Sequence, residues 1–432
     1  GYMVRVPSGT TRQVWFRFHP TDLPPGLHQG RLAIDHDKAS VLGIRVPIRL
    51  RIYPLRFPQE TTLLLGGWSY TNAERMYGVT PANRAALIEH LREHGVNAPW
   101  ATRAALPWGT IDDEGQMTQA PDTANFDAWV KRWPNAERYM VFVAIGSYRR
   151  VSDTFLGSKV GTPAFEKKVG AWIRFWADHL RTLGLKPSQL GLLLVDEPNR
   201  KEQFDVTTAW AKAIHRAEPD VPVWVDAVPR ELKTCRAMMA AVDVLVPNRS
   251  HWLAKGEDYK RLFLSQRERG CELGFYSCSG PARTFDPYSY YLLQQWHVFA
   301  IGGRWAGFWA FGDTGGVSCW NEYLATGNGP YCPLYLDDTT VTAAKYMEAI
   351  REGVQDYEYL VLLRDRIAAV EKTRPDHPKL AAAKALLAAA PARVLEAENA
   401  AEYRWDAPKD RSVADRVRIQ ILEMLTALGD QR

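Results

Sequence analysis

The chain is poor in the features that announce a metal centre, a membrane span or a nucleic-acid surface. Its five cysteines, at positions 235, 271, 278, 319 and 332, include no Cys-x-x-Cys pair. A zinc site of the usual spacing is therefore not expected, and an odd number cannot all be bridged. No stretch approaches the roughly twenty uninterrupted apolar residues of a membrane span. The opening Gly1-Tyr2-Met3-Val4-Arg5-Val6 carries no signal-peptide pattern and enters directly into alternation, as a partial chain would. The basic excess is small, a formal net charge of +5 spread without a basic block. That implies mild attraction to acidic ligands and no nucleic-acid footprint. Internal repeats are also missing. The expectation is a soluble protein that needs no metal and no cofactor.

What the chain does have is apolar and aromatic mass. At 432 residues, 46% of them hydrophobic and 16 of them tryptophan, it can bury a large core, with room for one big domain and a smaller one. Indole faces stack on sugar rings and also fill cores, so the tryptophans tilt the reading toward carbohydrate without deciding it.

The pattern along the chain divides it in three. Residues 1–57 alternate apolar and polar over 13–18, 30–34 and 43–53, with Pro, Gly and Asp at the turns, which predicts part of an antiparallel β-sandwich. From residue 58 to about 370, eight apolar runs follow, at 61–66, 96–100, 139–145, 190–196, 221–226, 242–247, 272–278 and 305–311. Helical patterns separate most of them, three opening with a capping residue and a proline: Thr80-Pro81, Thr162-Pro163 and Asp286-Pro287. Eight alternating units predict an α/β fold of the (β/α)8 TIM-barrel type, its last helix over 341–367. Residues 371–432 add C-terminal helices over 378–390 and 412–428.

The fourth run, Leu190-Gly191-Leu192-Leu193-Leu194-Val195, ends on Asp196-Glu197-Pro198. Such a run reads as a strand buried on both faces, and its carboxyl end is where barrels keep their chemistry. Adjacent carboxylates at such a place repel each other, so one holds its proton toward neutrality and can donate while the other stays charged. The same pair could also cap the following helix or meet an arginine. Trp68, Trp100, Asp226, Asn248, Tyr276, Trp309 and Asp313 fall at or just beyond other strand ends. Together they describe a polar, aromatic-lined cup suited to a sugar.

Glu348-Ala349-Ile350-Arg351-Glu352-Gly353-Val354-Gln355-Asp356-Tyr357-Glu358-Tyr359-Leu360 closely resembles the signature helix of glycoside hydrolase family 123 and the related domain of unknown function 4091. Phe275-Tyr276-Ser277-Cys278 and Gly307-Phe308-Trp309-Ala310-Phe311 are similar to that family's seventh- and eighth-strand segments, and Asp196-Glu197 matches its catalytic pair. The family's usual Arg-Trp ahead of the signature glutamate is replaced here by Tyr346-Met347, and its Tyr-Pro-Gly is replaced by Tyr331-Cys332-Pro333.

The resemblance implies a retaining β-N-acetylgalactosaminidase in which the substrate's 2-acetamido group replaces an enzyme nucleophile. Glu197 would be the general acid and base, Asp196 would orient the acetamido nitrogen, Tyr276 would hold the acetamido carbonyl, and Trp309 with Trp320 would wall the sugar. The implied partner is a glycan bearing a terminal N-acetylhexosamine, and the implied location is secreted or periplasmic. Arg351, Glu352 and Asp356 sit on a helix outside the strand ends and are read as braces. Two other readings stay open. A same-fold glycosidase of other sugar specificity with a conventional carboxylate nucleophile needs a third carboxylate, for which Asp226, Asp313 and Glu322 are available. The other is a carbohydrate-binding module without catalysis.

Overall fold

The computed structural model describes residues 3–11, 14–19, 22–35, 43–74, 78–147, 150–280, 282–312, 332–396 and 403–429. All eight expected runs become strands of one closed parallel barrel: Leu64–Tyr70, Ala98–Thr102, Tyr139–Gly146, Leu190–Val195, Val223–Val225, Val244–Leu245, Glu272–Ser277 and Trp305–Phe308. Each strand neighbours the next in the chain, and the eighth closes on the first with Trp305 opposite Leu64.

Every residue of the fourth strand is buried, which is why its sequence shows no polar alternation. The side-chain period of two still sorts its faces. Leu193 joins a cluster inside the barrel with Leu64, Met140 and Trp224. Leu192 and Leu194 join the larger core between strands and helices, with Leu63, Leu65 and Val141. The interior is thus filled, with aromatics concentrated toward the end where the site lies.

Helices fall where the capping signals put them, with differences at their starts. Thr162 caps Pro163–Thr182 by accepting from the Phe165 N–H at 3.4 Å. Thr80-Pro81 instead begins a turn, closed by the Asn83 N–H donating to Thr80 Oγ1 at 3.1 Å, ahead of helix Arg84–Glu93. Asp286-Pro287 leads into a wide turn over Tyr288–Leu292 before helix Leu293–Ala300. The long helix runs Lys345–Thr373, because Val341–Thr342 is taken up in a small antiparallel pair with Tyr335–Leu336. Helices Leu380–Leu395 and Val413–Leu428 complete the C-terminal side.

The signature helix braces the barrel from its amino-terminal end. Glu358 Oε1 accepts from the Leu63 N–H at 2.9 Å, just ahead of the first strand, and the Tyr357 hydroxyl donates to Gly303 O at 2.8 Å. Asp356, buried, accepts from Trp296 Nε1 at 2.9 Å and from Arg418 Nη2 at 3.0 Å. Glu348 is bonded by Arg351 and His94.

Ahead of the barrel, Gly26–Ile34 pairs antiparallel with Ile44–Ile52. Their side chains are mostly exposed. Of the strand expected over 13–18, residues 14–18 join no ladder among the described residues. Trp15, Phe16 and Phe18 are exposed, so nothing described there supplies the apolar backing a third strand needs. No helix among the described residues is long and apolar enough to cross a membrane.

Candidate active site

Asp196 and Glu197 stand directly after the fourth strand, at the carboxyl end of the barrel. The strand ladder reaches into the turn, since the Asp196 N–H donates to Gly146 O at 3.2 Å. Glu197 then adopts φ +44°, a left-handed conformation that a non-glycine residue keeps only when its surroundings enforce it. Three contacts do so. The Glu197 N–H donates to Asp226 Oδ1 at 2.9 Å, Asn199 Nδ2 donates to Glu197 O at 3.3 Å, and the Val228 N–H donates to Pro198 O at 3.1 Å. Gln203 Oε1 accepts from the Asn199 and Arg200 N–H groups, so helix Lys201–Ala217 is capped by its own side chain and the acidic pair stays free of that task.

A cavity of about 310 Å3 opens over this turn. Its acidic side is Asp196, Glu197 and Asp226; its aromatic side is Trp68, Tyr70, Phe142, Tyr276 and Trp309; Cys278 adds a thiol. The Tyr276 hydroxyl donates to Glu197 Oε1, tying the seventh strand to the fourth. Beneath Trp68, the Trp100 ring stacks at 4.7 Å between centroids, and Trp224 meets Trp100 edge-on at 5.1 Å.

Three carboxyls in one small space cannot all ionise freely. Burial, and then the Glu197 charge, push Asp196 up to about 7. Asp226, fully buried, is held well above the usual carboxylate range by burial and then by the charges of Asp196 and Glu197. Burial and the same acidic neighbours drive the Cys278 thiol up to about 12, so it stays protonated at neutrality and is no nucleophile. The arrangement therefore offers a residue that titrates near neutrality beside a carboxyl held by a tyrosine, against an aromatic wall.

Of the residues singled out in the sequence, Asp196, Glu197, Asp226, Tyr276, Trp68 and Trp309 converge on this cavity. Two do not line it. Trp100 is floor, supporting Trp68 from below. Asn248 is a helix cap, its Oδ1 accepting from the Ser250 and His251 N–H groups at 3.0 and 3.4 Å. Asp313, Trp320 and Glu322 lie outside the described residues. The Tyr276 hydroxyl, expected on a substrate carbonyl, is bonded to Glu197.

Four residues of the cavity and its floor were missed: Tyr70, Phe142, Trp224 and Cys278. Parity would have found them. Phe142 shares a face with Met140, Trp224 with Asp226, and Cys278 with Tyr276, each two residues apart on one strand. Tyr70 shares Trp68's face on a first strand longer than the sequence suggests. Among the described residues no group of three or more His, Cys, Asp or Glu is placed to hold a metal ion.

No protein-family model matches the chain, and no curated protein matches it. Solved structures do. A glucosidase from Croceicoccus marinus aligns at 13% identity over 69% of this chain and 68% of its own, with a TM-score of 0.45. An endo-beta-1,4-mannanase from Thermotoga petrophila aligns at 11% identity over 70% and 77%, with a TM-score of 0.42. A family 123 glycoside hydrolase from Clostridium perfringens, described for glycolipid glycan hydrolysis, aligns at 14% identity over 94% of this chain and 76% of its own, with a TM-score of 0.61. Across nearly its whole length the chain has the fold of that family 123 glycoside hydrolase, the family its signature helix resembles.

Proposed function

We propose that the protein is a glycoside hydrolase, a retaining, exo-acting β-N-acetylgalactosaminidase that uses the 2-acetamido group of its substrate as the nucleophile. The observation that carries this reading is the adjacent Asp196-Glu197 pair inside an aromatic cup, with no other described carboxylate free to attack the sugar. Asp226 is a poor nucleophile, being fully buried with one oxygen committed to the Glu197 backbone. At about 310 Å3 the cup is at the small end for ligand sites, which suits one terminal sugar ring better than a length of chain.

The steps follow from the pair. With Glu197 Oε1 accepting from Tyr276, the proton to be donated sits on Oε2. As that proton passes to the glycosidic oxygen, the acetamido carbonyl oxygen bonds to the anomeric carbon, the glycosidic bond breaks and an oxazolinium ring forms. Asp196, as the carboxylate, accepts a hydrogen bond from the acetamido N–H, whose positive charge grows during this step. Glu197 then takes a proton from water as the water opens the ring from the opposite face, which retains configuration. Trp68 and Trp309 offer the faces on which the sugar's C–H groups stack.

A galacto-configured thiazoline, a stable likeness of the oxazolinium ring, tests this reading. Competitive inhibition far tighter than by N-acetylgalactosamine is expected. Binding no tighter than the free sugar would count against substrate assistance.

A further inference from the structure

Asp226 follows the fifth strand directly and is buried without remainder. Its Oδ1 accepts the Glu197 N–H at 2.9 Å, while its Oδ2, equally buried, has no hydrogen-bond partner among the described residues. No lysine, arginine or histidine among the described residues forms an ion pair with it. The ionisable groups that face it are Asp196 and Glu197 from the fourth strand and Tyr276 and Cys278 from the seventh, each able to add negative charge and none positive. A carboxylate placed there would be cut off from water, half unbonded and beside two other acids. A neutral carboxyl group avoids all three penalties.

We propose that Asp226 is a positioning residue that works as an uncharged acid: Oδ1 fixes the Glu197 backbone in its left-handed turn, and the proton on Oδ2 keeps a third negative charge out of the site. The turn matters because it is unfavourable by itself, and it sets the place from which the Glu197 carboxyl meets Tyr276. The kinetic consequence rests on the glycosidase reading; the consequence for stability does not.

Asparagine copies the neutral acid, its Oδ1 accepting the same N–H and its amide nitrogen standing where the protonated oxygen stood. Leucine keeps the branched shape and removes the acceptor. The experiment compares wild type, Asp226→Asn and Asp226→Leu in two ways. In urea unfolding between pH 5 and 8, wild type must bind a proton at this side chain on folding, and Asp226→Asn need not. The wild-type unfolding constant should therefore rise about tenfold per pH unit relative to that of the asparagine variant. A gap that stays constant with pH would overturn the uncharged acid.

In turnover of 4-nitrophenyl β-N-acetylgalactosaminide, Asp226→Leu should lose about a hundredfold in kcat with KM changed by less than about threefold. Asp226→Asn should recover at least about tenfold of that loss. Equal losses in both variants would show that the charge is needed and overturn the proposal. If wild type itself leaves the glycoside intact, the glycosidase reading fails by that result, while the unfolding comparison still decides the charge state of Asp226.

Discussion

The Tyr276 hydroxyl donates its hydrogen bond to Glu197 Oε1, joining the carboxyl ends of the seventh and fourth barrel strands across the cavity. The acid is thereby oriented by a group on a separate strand, and one of its oxygens is spoken for.

Tyr276→Phe removes that donor and little else. A hydrogen bond to a charged group is worth about 1.5–3 kcal/mol, so a fall in kcat of roughly tenfold to a hundredfold is expected. KM should change by less than about threefold, because the tyrosine acts through Glu197 and not on the bound sugar. A rise in KM with kcat unchanged would mean that the tyrosine holds the substrate instead.

Asp196→Asn separates function from stability. Asp196 is held at about 7 in the folded protein, above its ordinary value of 3.8, by burial and by Glu197. A carboxyl raised in this way favours folding most at pH below about 4, and that contribution is lost as pH rises through about 7. Wild type should lose stability across this window, and the asparagine variant should not share that loss. Thermal unfolding should show a gap favouring the variant that widens from pH 4 to 7 and then stays level. Activity should fall by about a hundredfold or more, since the amide cannot stabilise the charge growing on the acetamido nitrogen.

Asp356→Ala probes the brace. Asp356 is buried and pairs with Arg418 of helix Val413–Leu428, which is itself largely covered. Breaking one side of such a pair costs about 3–5 kcal/mol, read as a lower urea midpoint. Turnover per folded molecule should stay at the wild-type value, because none of the helix's residues lines the cavity. A fall in kcat of the folded protein would give the helix a part in the chemistry.

The barrel was legible because each strand is an apolar run bounded by turn residues, and the acidic pair because charge directly follows the most apolar of those runs. What the sequence hid has physical causes. Gly66-Gly67 reads as the end of the first strand, yet the strand continues to Tyr70. Glycine is required there because a Cβ on residue 66 would lie 2.4 Å from Ala98 O and 2.8 Å from Trp100 Nε1. Trp224 and Phe142 were not singled out because on a doubly buried strand only parity separates the inner face from the outer one. Asn248 looked like a ligand-binding amide, but the two backbone N–H groups of the short helix after it already occupy its oxygen. The N-terminal alternation named strands correctly at two places and not at the third, where the described residues offer no second layer to pack on.

The central claim is that cleavage depends on the substrate's own acetamido group. The most direct measurement is release of 4-nitrophenol from the β-N-acetylgalactosaminide and from the plain β-galactoside, by wild type, Asp196→Asn and Glu197→Gln. Turnover of the acetamido sugar alone, lost in both variants, is the predicted result. Comparable turnover of the plain galactoside would contradict it, because that sugar has no acetamido oxygen to attack the anomeric carbon.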